Sequence, residues 1–404
     1  MKKLIKLVLA LATTFSLVAC NSTTEEVEEV VEIEFFEYKQ EAIDIFEVLA
    51  AEFMAEHPNI KVTVSSPPES GTVIKTRVSS GDIPDIIAVG ADQTYKDLAE
   101  AGVYVDLSND PALDLVHEAY IQTIKDVSQL DEVYGIPYIA NANAIIYNKA
   151  IFAENGVEVP TTWEELMAAA ETFKAAGVTP FYFTFKDAWT TLPAWNVIAA
   201  NTAGNQYFID YQAGVTTSSE NYRESLEKLK DLVQYGHDDN MGKTYPDGNT
   251  AFALGESAMY LQGIWAITDI LKANPDIEVG IFPYPVGDST VISGVDLLFS
   301  VADASEHKEE AMLFVNFLLE QENSTRFIND QKLFSAVKGV EQTAEELNGV
   351  SEAFAAGNVA DFPDHYVPSS VDLASVLQQF VLDQDVDATL QQLTDAYDAF
   401  LARQ

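Results

Sequence analysis

The 404-residue chain contains one cysteine, Cys20, so it can form no internal disulfide and has no thiol cluster for a metal. Basic residues are scarce, 22 Lys and Arg against 64 Asp and Glu, a formal charge of −42. A surface of that sign repels nucleic acid and anionic lipid headgroups, and argues against both as partners. It says little about a ligand, because a cleft can differ from the surface average. His57, His117, His237, His307 and His365 are scattered, with no helical pair of the zinc-binding kind. His237-Asp238-Asp239-Asn240 lacks the spacing, glycine and closing glutamate of a calcium loop. There is no Gly-x-Ser-x-Gly elbow and no phosphate-cradling glycine loop. Ser-x-x-Lys occurs at Ser225, Ser305 and Ser335, each time without companion motifs. No repeat or long low-complexity tract appears. Neither metal nor cofactor is expected.

Long apolar runs are also missing, except at the start. Lys2, Lys3 and Lys6 precede an apolar stretch, Leu7 to Ala19, that stops at Leu17-Val18-Ala19-Cys20. A basic start, a short apolar core and small residues before a cut describe a secretory signal. The stretch is short of the ~20 apolar residues that span a bilayer. Leu-Val-Ala-Cys also matches the lipobox of bacterial lipoproteins, in which the cysteine is lipidated. The expected organisation is a signal peptide over residues 1–19 and a lipidated tether over 20–30, with the rest held by Cys20 at the extracellular face of the cell membrane. The acidic, polar stretch Asn21 to Glu29 has no apolar periodicity and suits a tether.

The chain beyond the tether is too long for one hydrophobic core, and a hydrophobic content of 48% is that of a globular protein, so two domains are expected. Val31 to Phe36 reads as a strand, and Ile45, Phe46, Leu49, Phe53 and Met54 recur at helical spacing behind it. His57-Pro58-Asn59 ends that helix, and Ile60, Val62 and Val64 alternate as a second strand. Strand, helix, strand over this length is a parallel unit with a right-handed crossover. Ile86 to Val89 is a buried third strand, followed by Asp92-Gln93 at its carboxyl end, where open α/β sheets meet ligands. Tyr38 to Gln40, after the first strand, are placed likewise, although helix capping and loop solubility would explain the same residues.

Tyr134 to Phe152 organises the rest. Pro137 pushes Ile136 into extended geometry, and Ala140-Asn141-Ala142-Asn143 joins two short extended pieces, as where a chain leaves one sheet for another. Amides at such a crossing sit where two domains face each other, the default place for a small-molecule site. Ser293 to Val301, with Asp296, reads as a second crossing. Thr162 to Glu165 is a capping box, and Trp163 belongs to the apolar face of its helix. Trp189 and Trp195 lie in a stretch that reads as irregular, and Trp265 at a strand-to-helix junction. Helices are expected at about 219–235, 306–321, 371–382 and 387–402, with 341–361 irregular. Flat indoles cover the C–H faces of sugar rings while Asp, Asn and Gln bond the hydroxyl rim, so Tyr38, Trp189, Trp195 and Trp265 among amides suit carbohydrate. Core packing near turns would place the same aromatics.

With those residues in place, the chain resembles the extracellular carbohydrate-binding proteins of ATP-driven importers, solute-binding family 1. The resemblance rests on the lipobox, Gly81-Asp82-Ile83-Pro84-Asp85, Tyr134 to Phe152, Pro160 to Leu166 and Gly255 to Trp265. Tyr147-Asn148-Lys149 and the Gly-x-Trp at 263–265 are its most specific pieces. It implies an α/β, two-lobed, periplasmic-binding-protein-like (type II) fold with extended hinge crossovers. One lobe would comprise residues 31–139 plus about 295–340, the other 140–294 plus about 341–404. It further implies a monomer that closes over an oligosaccharide and delivers it to the membrane subunits of an ABC permease, without catalysis. Trp265 matches the family's sugar-stacking tryptophan, Asn141 and Asn143 fall in its first crossing, and Asp92 and Gln93 in its loop after the third strand. Lys186 to Thr190 is similar to oligosaccharide-binding, raffinose-type members, whereas Glu37 to Gln40 departs from the tryptophan-rich first loop of many. The ligand-binding set is then Tyr38, Gln40, Asp92, Gln93, Asn141, Asn143, Trp189, Trp195, Trp265 and Asp296. A cell-surface glycoside hydrolase using a carboxylate pair is the alternative.

Overall fold

The computed structural model describes residues 30–216, 218–356 and 358–403. The signal, Cys20 and all but Val30 of the tether lie outside the described residues. The chain begins with β1 (Val31–Glu37), the helix Ile43–Glu56 and β2 (Ile60–Ser65), with β1 and β2 parallel as their order requires. That helix turns Phe46, Leu49, Ala50 and Phe53 inward. Phe35 of β1 meets Phe46 edge-on, ring centres 5.0 Å apart, and also touches Phe299 and Phe314. Each such buried ring contributes roughly 1.5–3 kcal/mol through its area alone. β3 (Ile86–Val89) lies parallel on the other side of β1, and β4 (Ile136–Ala140) follows in the same sheet.

After Ala140 the chain enters a second sheet. β5 (Asn143–Asn148) is central there, with β6 (Thr179–Tyr182), β7 (Ser257–Gly263), β8 (Val279–Phe282) and β9 (Val291–Ile292). β10 (Val295–Val301) returns to the first sheet and inserts antiparallel between β3 and β4, where β11 (Phe334–Ser335) completes an edge. β12 (Val359–Ala360) pairs with β9. The orders are β11-β4-β10-β3-β1-β2 and β12-β9-β5-β7-β6, with β8 also on β5. The result is the α/β, two-lobed architecture that the sequence implied. Among the described residues no helix is long and apolar enough to cross a membrane.

Several local expectations need correction. Trp195 is not in irregular chain but inside the helix Leu192–Thr202, because Pro193 occupies its first turn, where no intrahelical N–H is needed. β7 starts at Ser257, after the helix Tyr245–Ala253. The segment 341–361 contains a 3-10 turn, Glu345–Leu347, and a helix, Asn348–Ala356. Thr162 caps its helix through the Glu165 N–H, but the Glu165 carboxylate takes the N–H of Thr161 rather than closing the box. Trp163 is half-buried, with the Lys228 ammonium 4.5 Å from its ring centre.

Candidate functional site

Strand register sets which residues face each other. Phe35 pairs with Ile86, Val89 with Leu298, and Val295 with Ala140, so the ends of β1, β3 and β4 and the start of β10 share one edge of the first sheet. That edge bears Tyr38, Lys39, Asp92, Asn141 and Asp296. In the second sheet Asn143 pairs with both Gly263 and Ile292, and Ala360 with Ile292. Its corresponding edge bears Asn143, Trp265, the segment after β6 with Trp189, and the segment after β12 with His365. The crossings at 140–143 and 292–295 join the two edges.

Asp296 is the centre of the first edge. Its carboxylate accepts from Lys39 Nζ at 2.7 Å and Asn141 Nδ2 at 2.6 Å, and Tyr38 Oη donates to its carbonyl at 2.7 Å. Lys39 Nζ also meets Glu41 Oε1 at 2.8 Å. Burial opposes the Lys39 charge, but Asp296 and Glu41 outweigh it and hold the ammonium well above its ordinary pKa. Asn141 ties the two crossings as well: its N–H donates to Gly294 O, and Gly294 N–H donates to its Oδ1, each at 3.3 Å. Asn141 and Asp296 are thus bonded to each other within the crossings.

Glu37, at the end of β1, is fully buried. Its Oε2 takes the Lys39 N–H at 2.6 Å, while Oε1 has no protein partner. Burial pushes its carboxyl up to about 8. Asn143 Oδ1, on the residue paired with Gly263 ahead of Trp265, and Tyr245 Oη, on the ring packed against Trp189, also lack a protein partner. Leaving such a group unpaired costs about 1–3 kcal/mol each, so those beside the indoles are candidate partners for a polar ligand.

The aromatics divide. Trp265 is half-buried in the turn Ile264–Ala266 directly after β7, and its six-membered ring lies against Gly263. Trp189 is 41% exposed, in the 3-10 turn Ala188–Thr191, with its ring centre 5.0 Å from that of Tyr245. Trp195 does not belong with them. It is fully buried, stacked on Tyr222 at 5.5 Å and edge-on to Phe208, and is core. Gln40 is exposed at the start of the turn Gln40–Ala42. Asp92 caps the helix Gln93–Glu100 through the N–H groups of Thr94 and Tyr95. Gln93 reaches the other lobe, its Nε2 donating to His365 O at 2.5 Å.

A cavity of about 190 Å³ lies beside that contact, lined by Asp92, Gln93, Leu192, Asp364, His365 and Leu373 among others. Burial works against a charge on His365, but Asp361, 3.2 Å away, together with Asp364 and Asp92 pushes it up to about 9. The lobes touch elsewhere too: Ser369 Oγ donates to Asp97, Thr268 Oγ1 to Asp330 O, and Lys272 Nζ to Glu41 O. Glu37, Glu41, Tyr245 and His365 were not among the residues expected from sequence, and Lys39 was expected only as part of the stretch Tyr38 to Gln40. Of these, Glu37 and Lys39 carried a signal, in standing next to Tyr38.

The residue pattern of bacterial extracellular solute-binding proteins matches residues 39–325, and the chain belongs to that family. It is 31% identical over 344 residues to the multiple sugar-binding protein of Streptococcus mutans, covering 82% of this chain and 81% of that one. It superposes on the solute-binding protein RafE in complex with raffinose with a TM-score of 0.81 and 28% identity, over 91% of this chain and 99% of that one. For the apo form of RafE from Streptococcus pneumoniae the TM-score is 0.73, with 29% identity over 92% and 98% of the two chains.

Proposed function

We propose that this protein is an extracellular receptor that binds an oligosaccharide between its lobes and delivers it to an ABC import permease. The observation that carries the reading is the junction itself, where partly exposed indoles stand beside buried polar atoms lacking protein partners. Sugar hydroxyls would satisfy those atoms while Trp265 and Trp189 cover ring faces. The higher TM-score to the raffinose complex than to the apo form supports a closed arrangement of the lobes, and raffinose-like trisaccharides as first candidates.

In this reading residues 31–139 with about 295–340 move against 140–294 with about 341–404, bending at the crossings. Open and closed forms of such proteins differ by a few kcal/mol, so contacts to both lobes decide the equilibrium. Tyr38, Gln93, Asn143, Trp189 and Trp265 form the expected contact set, with Asp92, Gln40, Asn141 and Asp296 around it. Met1 to Ala19 act as the signal, and Cys20 takes a lipid that holds a monomer at the outer face of the membrane. The receptor does no chemistry on the sugar.

A thermal-shift and calorimetric screen of mono- to tetrasaccharides, raffinose included, tests this. Binding stabilises by mass action, about 2.7 kcal/mol at a hundredfold excess over Kd. A panel that shifts nothing, or steady release of hydrolysis products, would return the hydrolase reading.

A further inference from the structure

Trp189 is carried by a single 3-10 turn, Ala188–Thr191, and so short a piece of chain does not by itself hold an indole still. Asp187 stands at the head of that turn. Its N–H donates to Thr184 O at 3.2 Å, and its carbonyl accepts from Thr190 N–H at 3.0 Å. Thr190 Oγ1 donates to the carbonyls of Thr184 and Asp187, each at 2.8 Å. These bonds close the turn on itself but do not fix it to the lobe.

The Asp187 carboxylate makes that attachment. Its Oδ2 accepts from Tyr245 N–H at 2.7 Å, 58 residues further along the chain. Tyr245 is the first residue of the helix Tyr245–Ala253, whose cap Thr244 forms a capping box with Asp247. The box takes the N–H groups of Thr244 and Asp247, and Pro246 has none to offer. Tyr245 N–H is therefore the donor left over in the first turn, and Asp187 meets it from outside the helix. A carboxylate is suited to that place, because the bond is charge-assisted and the helix end is positive.

The bond joins the Trp189 turn to the very residue on which the indole rests. The Trp189 and Tyr245 ring centres are 5.0 Å apart, with the planes tilted by 60°. Tyr245 is half-buried and packs against a hydrophobic core, so it gives the exposed indole a firm base. We propose that Asp187 is a positioning residue, whose carboxylate pins the Trp189 turn to the Tyr245 helix and so holds the indole where it covers a sugar ring. The inference rests on the sugar-receptor reading and deepens it. Asparagine at 187 would keep an oxygen for Tyr245 N–H, whereas alanine would leave that N–H unmet and the turn untied.

The test has two readouts on the full chain. The first needs no ligand: with 5-fluorotryptophan incorporated, the Trp189 fluorine resonance is assigned by its loss in W189F. D187A should shift or broaden it, and D187N should leave it near its wild-type position. The second is calorimetry with raffinose, where D187A is expected to weaken binding about tenfold and D187N to recover most of the loss. In a W189A background, D187A should add less than twofold, because the ring through which it acts is gone. D187S serves if D187A folds poorly, its side chain being too short to reach Tyr245. A Trp189 resonance that D187A leaves in place overturns the proposal. So does an undiminished effect of D187A in the W189A background, which would make Asp187 a direct sugar contact. If raffinose and every other saccharide fail to bind the wild type, the receptor reading falls, and the fluorine resonance alone decides whether Asp187 holds the ring.

Discussion

The indole of Trp265 lies so close over Gly263 that a Cβ on the glycine would stand 2.1 Å from Cζ3 and 2.3 Å from Cη2. Gly263 has φ −143° and ψ −179°, a backbone that any residue adopts, so the requirement for glycine here is space and not conformation. Gly263→Ala should therefore displace the ring without straining β7. Sugar affinity is expected to fall at least tenfold in calorimetry, with a much smaller change in melting temperature. Trp265→Ala should cost about 2 kcal/mol or more of binding, roughly thirtyfold. Parallel losses of binding and thermal stability would make Trp265 a core residue instead.

Trp189 offers a contrast. At 41% exposure its removal leaves little unburied, so Trp189→Ala should change stability by no more than about 0.5 kcal/mol. Affinity should drop more for trisaccharides than for monosaccharides. Equal effects across ligand lengths would show that the ring does not extend the cleft.

Lys39 and Asp296 should prove energetically coupled. Asp296→Ala strips the buried ammonium of one of its two carboxylates, and breaking buried pairs costs about 3–5 kcal/mol. Glu41 remains as a partner, so about 3 kcal/mol in urea unfolding is expected. The double variant with Lys39→Met should lose less than the two single losses added together. Simple additivity would show that the ion pair is incidental.

Glu37 predicts a pH dependence of opposite sign to ordinary acid denaturation. Its folded pKa of about 8 lies above the ordinary value of 4.5, so the folded state holds a proton that the unfolded chain releases. Its contribution is full below pH ~4.5 and is lost as pH rises through about 8. At about 1.4 kcal/mol per unit, the penalty reaches a few kcal/mol. Melting curves from pH 5 to 8.5 should show the wild type losing stability relative to Glu37→Gln. Parallel curves would sink the assignment.

Local periodicity made much of this fold legible. The alternation in β2 and the spacing of Phe46, Leu49 and Phe53 report burial directly, because both patterns repeat within a few residues. What escaped depends on distant partners. Lys39 looks like a loop lysine until Asp296, 257 positions on, is beside it. The helix Asn348–Ala356 opens on Asn-Gly, a turn signal, yet Gly349 is there because its helix packs onto β8, where a Cβ would stand 1.8 Å from Ile281 O. Trp195 reads as irregular because a nearby proline breaks a helix at most positions, whereas Pro193 stands at the one place where it starts one. Its stacking partner Tyr222 is also far off in the chain. In the site, the positions of Asn141, Asp296 and Trp265 at the crossings and the strand-to-helix junction could be read from sequence, whereas the ion pairs of Lys39 with Glu41 and Asp296 could not.

The placement of β10 between β3 and β4 bears on how the molecule is made. The middle of the first sheet is filled by residues 295–301, and the second core recruits Phe380, Leu393 and Tyr397 from near the end of the chain. A polypeptide emerging amino-terminus first can finish neither half until its late pieces arrive. Residues 30–140 expressed alone should accordingly lack native near-ultraviolet circular dichroism; a cooperative native-like fragment would contradict this. Under the export proposed above, delayed completion would keep premature folding from blocking the way out.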